Sequence, residues 1–145
     1  EGLSPGLRIA EIVEAHFLDH DKHADLAEGA AADLRLLHTL RNDAIDMMFS
    51  IRKRDGFTPD ITLKTFQACQ ADADWMQRYE RYIQGNPLLP GNPRKTNANQ
   101  TIGSRIKSKL HAQDLTDAGG KSQRGRAPVG TIIQTYQLLQ LPGDR

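Results

Sequence analysis

The stretch Thr101-Ile102-Gly103-Ser104-Arg105-Ile106-Lys107-Ser108-Lys109-Leu110 places a large aliphatic residue at every fourth position. Ile102, Ile106 and Leu110 form the narrow apolar stripe of an amphipathic helix. The spacing predicts a helix capped by Asn97 or Asn99 and running to about Gln113. Its outward side carries Gln100, Thr101, Ser104, Arg105, Ser108 and Lys109. Gly119-Gly120 breaks the chain, and the residues up to Pro128 are polar and basic. Val129 to Tyr136 are rich enough in β-branched and aromatic residues to predict a strand. Asp114 to Ala118 is the candidate partner strand.

The outward residues have the chemistry of a nucleic-acid reader. Gln and Arg make bidentate contacts to adenine and guanine, Ser and Thr reach bases or phosphate, and Lys109 is a phosphate partner. In the loop that follows, Lys121, Arg124 and Arg126 are separated by small residues. Two guanidiniums flanking Gly125 can lie flat in a narrow negative groove, because glycine adds no bulk. The segment Thr101 to Leu139, with Ile102-Gly103-Ser104-Arg105-Ile106-Lys107, Arg124-Gly125-Arg126 and Ile132-Ile133, resembles the helix, wing and closing strand of winged-helix DNA-binding domains, including those appended to phage and plasmid replication proteins. The resemblance implies duplex DNA as partner, with the helix in the major groove and the wing on the backbone or minor groove.

Charge supports this only when resolved by position. The whole chain has 19 Lys and Arg against 18 Asp and Glu, a formal net charge of +1. Residues 1–46, however, carry ten acids and four bases, and residues 94–126 carry eight bases and two acids. The chain is therefore acidic at its start and basic toward its end, and a basic block of that density is a nucleic-acid footprint or a match for an acidic surface. Arg94, Lys95, Gln100, Ser104, Arg105, Lys109, Lys121, Arg124 and Arg126 are the candidate nucleic-acid-binding residues.

The N-terminal part predicts one long helix, or two in line, from Ser4 to about Arg54. Ser4 and Pro5 supply the start, and Arg52-Lys53-Arg54-Asp55-Gly56 the stop. Ile9, Ile12, Val13, Ala27, Ala30, Ala31, Leu34 and Leu37 share a stripe. Thr58-Pro59-Asp60 starts a second helical segment with Ile61, Phe66, Cys69, Ala73, Met76, Tyr79 and Ile83 facing inward, unless Asp72 caps a separate helix. Trp75, Tyr79 and Tyr82 either anchor the neighbouring loop or stack exposed bases. Three prolines and two glycines in residues 85–93 predict a connector. The expected architecture is mainly α: an acidic helical region (1–84) for interaction or oligomerisation, the connector (85–93), and a basic winged-helix-like region (94–145) with a small β-hairpin.

His16, His20 and His23 recur at i, i+4 and i+7, so two or three imidazoles could share a metal ion. One helix face rarely supplies all three ligands, since the span is about 10.5 Å of rise. No phosphate loop, dinucleotide fingerprint or nucleophile elbow is present, and the single Cys69 lies on an apolar face. The expectation is a non-catalytic protein without a cofactor. The uncharged stretch Ala127 to Pro142 is too short and polar to span a bilayer, and a cytoplasmic location is expected. The rival readings are an assembly module that pairs through the long helix, an RNA or single-strand binder, and a metal-dependent nuclease.

Overall fold

The computed structural model describes residues 20–143, with side chains from Leu26 onward. Four helices precede four short strands: α1 (His20–Asp55), α2 (Ile61–Ala71), α3 (Ala73–Ile83), α4 (Pro93–Lys109), β1 (Gln113–Asp114), β2 (Arg124–Arg126), β3 (Thr135–Gln137) and β4 (Leu139–Gln140). The fold is mainly helical with small antiparallel pairs near the C-terminal end. Among the described residues no helix is long and apolar enough to cross a membrane.

The chain divides into two compact units, Glu1–His38 and Thr39–Arg145. The division falls within α1. The 85–93 stretch, expected to separate two regions, instead lies inside the second unit. The Ser4 start and the stripe residues Ile9, Ile12 and Val13 lie outside the described residues. In the first unit Ala27, Ala30, Ala31 and Leu37 are half-buried, and Leu34, expected on the buried stripe, is exposed.

In the second unit α1 buries Leu40, Ala44, Ile45, Met48 and Ile51, which recur on one face of the helix. It ends as its sequence demands. Gly56, at φ +83°, donates its N–H to the Arg52 carbonyl at 2.8 Å, the left-handed stop that glycine adopts without a Cβ penalty.

Asp72 breaks the next segment into two helices. Its backbone is extended, its N–H donates to Cys69 O, and its carboxylate accepts from the Trp75 N–H at 3.1 Å. This cap resets the helix phase. Trp75, Tyr79, Tyr82 and Ile83 are buried on α3, whereas Ala73 is exposed and Met76 half-buried, because the expected stripe assumed uninterrupted winding. Thr58, expected as the α2 cap by its hydroxyl, uses its carbonyl to accept from Ile61 N–H and its hydroxyl to accept from Lys64 Nζ.

The aromatics bind the second unit together. Trp75 Nε1 donates to Leu40 O at 3.0 Å, and its ring stacks on Tyr79 with centroids 5.0 Å apart. Tyr79 OH donates to Asn99 Oδ1 at 2.7 Å, and Asn97 Nδ2 donates to Tyr82 OH at 2.9 Å. These bonds join α3 to α1 and α4. Trp75 and Tyr79 are buried, so neither ring is free to stack on a base.

Asn92, not Asn97 or Asn99, caps α4. Its Oδ1 accepts from the N–H groups of Arg94 and Lys95, Pro93 occupies the first turn, and Nδ2 donates back to Ile83 O at 2.8 Å. One side chain thus ends α3 and starts α4. The expected stripe Ile102, Ile106 and Leu110 is buried, and α4 stops at Lys109 rather than Gln113.

The strands do not form one hairpin. β1 pairs with β4 and β2 with β3, both antiparallel, and Thr116 bridges Ser122. The three ribbons meet in a closed ring of backbone bonds: Leu115 N–H to Leu138 O at 2.8 Å, Leu138 N–H to Gln123 O at 3.0 Å, and Gln123 N–H to Leu115 O at 2.8 Å. The expected pairing of 114–118 with 129–136 does not occur. Ile132 and Ile133 are both buried, a consecutive pattern that a strand with alternating faces cannot satisfy here. Their loop is held by side chains instead: Gln70 donates to Gly130 O and accepts from Ile132 N–H, and Asn99 donates to Ile132 O.

Candidate nucleic-acid interface

Of the polar side chains expected on the outward side of α4, Gln100, Ser104, Ser108 and Lys109 are exposed, and Thr101 and Arg105 are half-buried. Asn97, Gln100, Ser104 and Ser108 are exposed and follow one another at helical spacing. They make an uncharged hydrogen-bonding row about 16 Å long. Cations flank the row on both sides. Arg41 of α1 and Arg105 line one shallow groove with Asn97, Gln100, Ser104 and Ser108. Lys107 and Arg124 line a second cleft, with Gln100, Ser104, Thr135 and Gln137. Lys109 lies with Arg41, Arg105 and the half-exposed Phe49 at the end of the row.

Arg41 and Arg105 are close enough to oppose each other. Burial lowers the Arg41 guanidinium from its ordinary value, and Arg105 lowers it further. Arg41 was not a sequence candidate, because it sits in the acidic half of the chain and reaches α4 only through the tertiary fold. Lys107 was counted in the basic block but not assigned to the site.

The Arg-Gly-Arg tripeptide is strand, not loop. Arg124 and Arg126 pair with Gln137 and Thr135 and point to one face of β2–β3. Arg124 donates through Nη2 to Thr135 Oγ1 at 2.9 Å. Gly125 faces the other way, where a Cβ would lie 2.4 Å from the Tyr136 ring. The glycine is therefore required by ring packing, not by insertion into a narrow groove. Arg126 and Lys121 are exposed and lie outside both clefts, Lys121 at the end of a turn in which Asp117 Oδ1 accepts from Gly119 and Lys121 N–H groups.

Arg94 and Lys95 belong to the fold. Arg94 donates through Nε to Tyr82 O and lies 4.5 Å over the Tyr82 ring. Lys95 is buried and donates to Leu89 O at 3.2 Å, and its burial pushes the ammonium pKa down. Both sit in the first turn of α4, where Arg94 is held by the end of α3 and Lys95 by the loop before the helix, so carbonyls occupy their donors while the charges remain.

One carboxylate organises the cationic side. Asp114 forms an ion pair with Lys107 at 2.7 Å and accepts from Ser122 Oγ at 2.9 Å and from Gln137 Nε2 at 3.3 Å. The Lys107 contact holds its carboxyl below the usual range, helped by Ser122 and Arg124 and opposed by burial. A depressed carboxylate stabilises the fold above its unfolded pKa, and that contribution is lost as pH falls through the lower folded value. Thermal melts from neutral pH to about pH 3 should therefore fall less steeply in Asp114→Asn than in the wild type. Parallel curves would mean that Asp114 does not organise this end of the fold.

His16 lies outside the described residues; His20 and His23 lie in α1, with side chains outside the description. Among the described residues no group of three or more His, Cys, Asp or Glu could hold a metal ion. Cys69 is buried, and desolvation pushes its thiol up to about 12, so it is protonated at neutral pH. Comparison with protein-family models, curated proteins and solved structures finds no match to this chain.

Proposed function

We propose that the second unit binds double-stranded DNA without chemistry, with α4 in the major groove and the β2–β3 face on the backbone, as in a winged-helix module. The observation that carries this reading is the neutral row on α4 with cations on both flanks. A helix seated in a major groove about 12 Å wide meets base edges along its centre and a phosphate strand at either side. Asn, Gln and Ser suit the centre, and Arg and Lys suit the sides. The resemblance of Thr101 to Leu139 to winged-helix domains supports the same placement, although β2–β3 takes the role expected of a loop.

Binding driven by phosphate neutralisation weakens with salt. Titration of a mixed-sequence duplex between 50 and 200 mM salt should give a log–log slope of roughly −3 to −5, with weaker binding to the single strand. A flat salt dependence, or stronger binding to single-stranded DNA or RNA, would sink the duplex reading.

A second reading concerns the first unit. Leu26 and Leu34, eight residues apart on α1, are 60% and 45% exposed. Aliphatic exposure at two-turn spacing favours pairing of helices. Size-exclusion chromatography of wild type against a Leu26→Glu, Leu34→Glu variant distinguishes the two: a monomer in both cases removes the assembly reading.

A further inference from the structure

α1 carries one aromatic ring off its buried face. Phe49 is 42% exposed, the one exposed Phe, Tyr or Trp among the described residues, whereas Ile45 and Met48 beside it are buried. Asn42, Asp46 and Phe49 follow one another at four and three residues and are all exposed, so they share one solvent-facing side of the helix. With Arg41 they line a groove of about 340 Å³ whose other wall is Arg105 and Lys109 of α4. Arg41 and Arg105 also line the groove beside the neutral row, so the two grooves adjoin. A phosphate strand on the Arg41–Arg105 flank of the row that continues toward Lys109 enters the Phe49 groove.

A ring in that place has nothing to stack on while the strand is paired. The bases of a duplex cover one another inside the backbone, and a side chain on the phosphate flank meets only sugar and phosphate. Beyond the last pair a base is free to turn outward and cover an aromatic face.

We propose that the Phe49 groove holds an unpaired base of the strand that leaves the duplex at this end of α4, so that the protein favours a junction of double- and single-stranded DNA over a uniform duplex. The base covers the Phe49 ring, and Arg105 and Lys109 take the adjoining phosphates. Asn42 and Asp46 meet the base edge, where a carboxylate accepts from an amino group. Among the described lining residues Asp46 is the single carboxylate against three cations, so the groove still favours a polyanion. The junction as ligand rests on the duplex reading above. The stacking site itself does not, since a wholly single strand offers the same bases and phosphates.

The test uses the full chain and four DNA probes: a blunt duplex, that duplex extended by about six nucleotides at its 5′ ends, the same extended at its 3′ ends, and the single strand. The quantity read is the affinity for an extended duplex divided by that for the blunt one, so any change common to both cancels. The wild type should favour one polarity by about tenfold, the effect of one stacked base, because the Phe49 groove continues only one flank of the row. Phe49→Leu keeps apolar bulk but loses the flat face, and should bring the ratio to about one; Phe49→Trp should retain it. Both substitutions fall at an exposed position and leave the buried face of α1 intact. If the wild type binds the blunt duplex with no preference for either extension, the site is overturned and the duplex reading stands. A preference equal for both polarities, or one that survives in Phe49→Leu, comes from the added phosphates alone and overturns the site as well. If the single strand binds and the blunt duplex does not, and Phe49→Leu weakens single-strand binding by about tenfold, the duplex reading fails and the site stands. Absence of binding to all four probes overturns both.

Discussion

Trp75→Ala is expected to lower the stability of the protein by about 3–5 kcal/mol. The side chain is 1% exposed, so truncation removes a full indole and leaves a void in the seam joining α1, α3 and α4. It also removes the Nε1 donor to Leu40 O and the stacking partner of Tyr79. A domain of this size holds only about 5–15 kcal/mol in total, so a loss of that order moves the urea midpoint far down or leaves the chain unfolded. Trp75→Phe should cost less, since it keeps most of the apolar area and loses the hydrogen bond. Because Trp75 is the only tryptophan, the measurement needs circular dichroism in place of intrinsic fluorescence. An unchanged midpoint for the alanine variant would show that the aromatic seam does not hold the helices together.

That seam shows where the sequence was readable and where it was not. The helix stripe Ile102, Ile106 and Leu110 was legible because three residues on one face of a single helix need no tertiary information. The stop at Gly56 and the alternative start at Asp72 were legible for the same reason, as local caps whose chemistry lies within a few residues. Trp75 was legible as an anchoring aromatic, but not its partner, since the carbonyl of Leu40 lies 35 residues earlier and meets it only through the helix phase that Asp72 imposes. The strands were misread because their bonds go to partners far along the chain. Leu115, Gln123 and Leu138 close a ring across 23 residues, and Gln70 secures Gly130 and Ile132 from 60 residues away. The candidate interface divides likewise. The outward face of α4 follows from its own periodicity, but Arg41 reaches it only through folding. Arg94 and Lys95 look identical to the other bases in sequence, and only the contacts with Tyr82 and Leu89 show that the fold holds their side chains.

This division yields the sharper prediction about binding. Arg105→Ala with Lys109→Ala, and separately Arg124→Ala with Arg126→Ala, should each weaken duplex affinity by about tenfold or more. Each pair should also reduce the salt slope by roughly two, the share of two lost phosphate contacts. Lys95→Met removes a cation from the same basic block and should leave the slope unchanged, because the Lys95 ammonium already donates to Leu89 O. Net charge falls in every case, so a protein that bound DNA through its overall basic character would respond to Lys95→Met about half as strongly as to either pair. A protein that binds through the flanks of α4 responds only to the pairs. Equal responses per charge removed would locate the affinity in diffuse charge and remove the argument for α4 as the reading helix. Within the Arg124, Arg126 pair the structure separates the two residues further: Arg124 lines the cleft beside Gln100 and Ser104, while Arg126 lies at the far end of β2. Arg124→Ala alone should therefore carry the larger part of the loss.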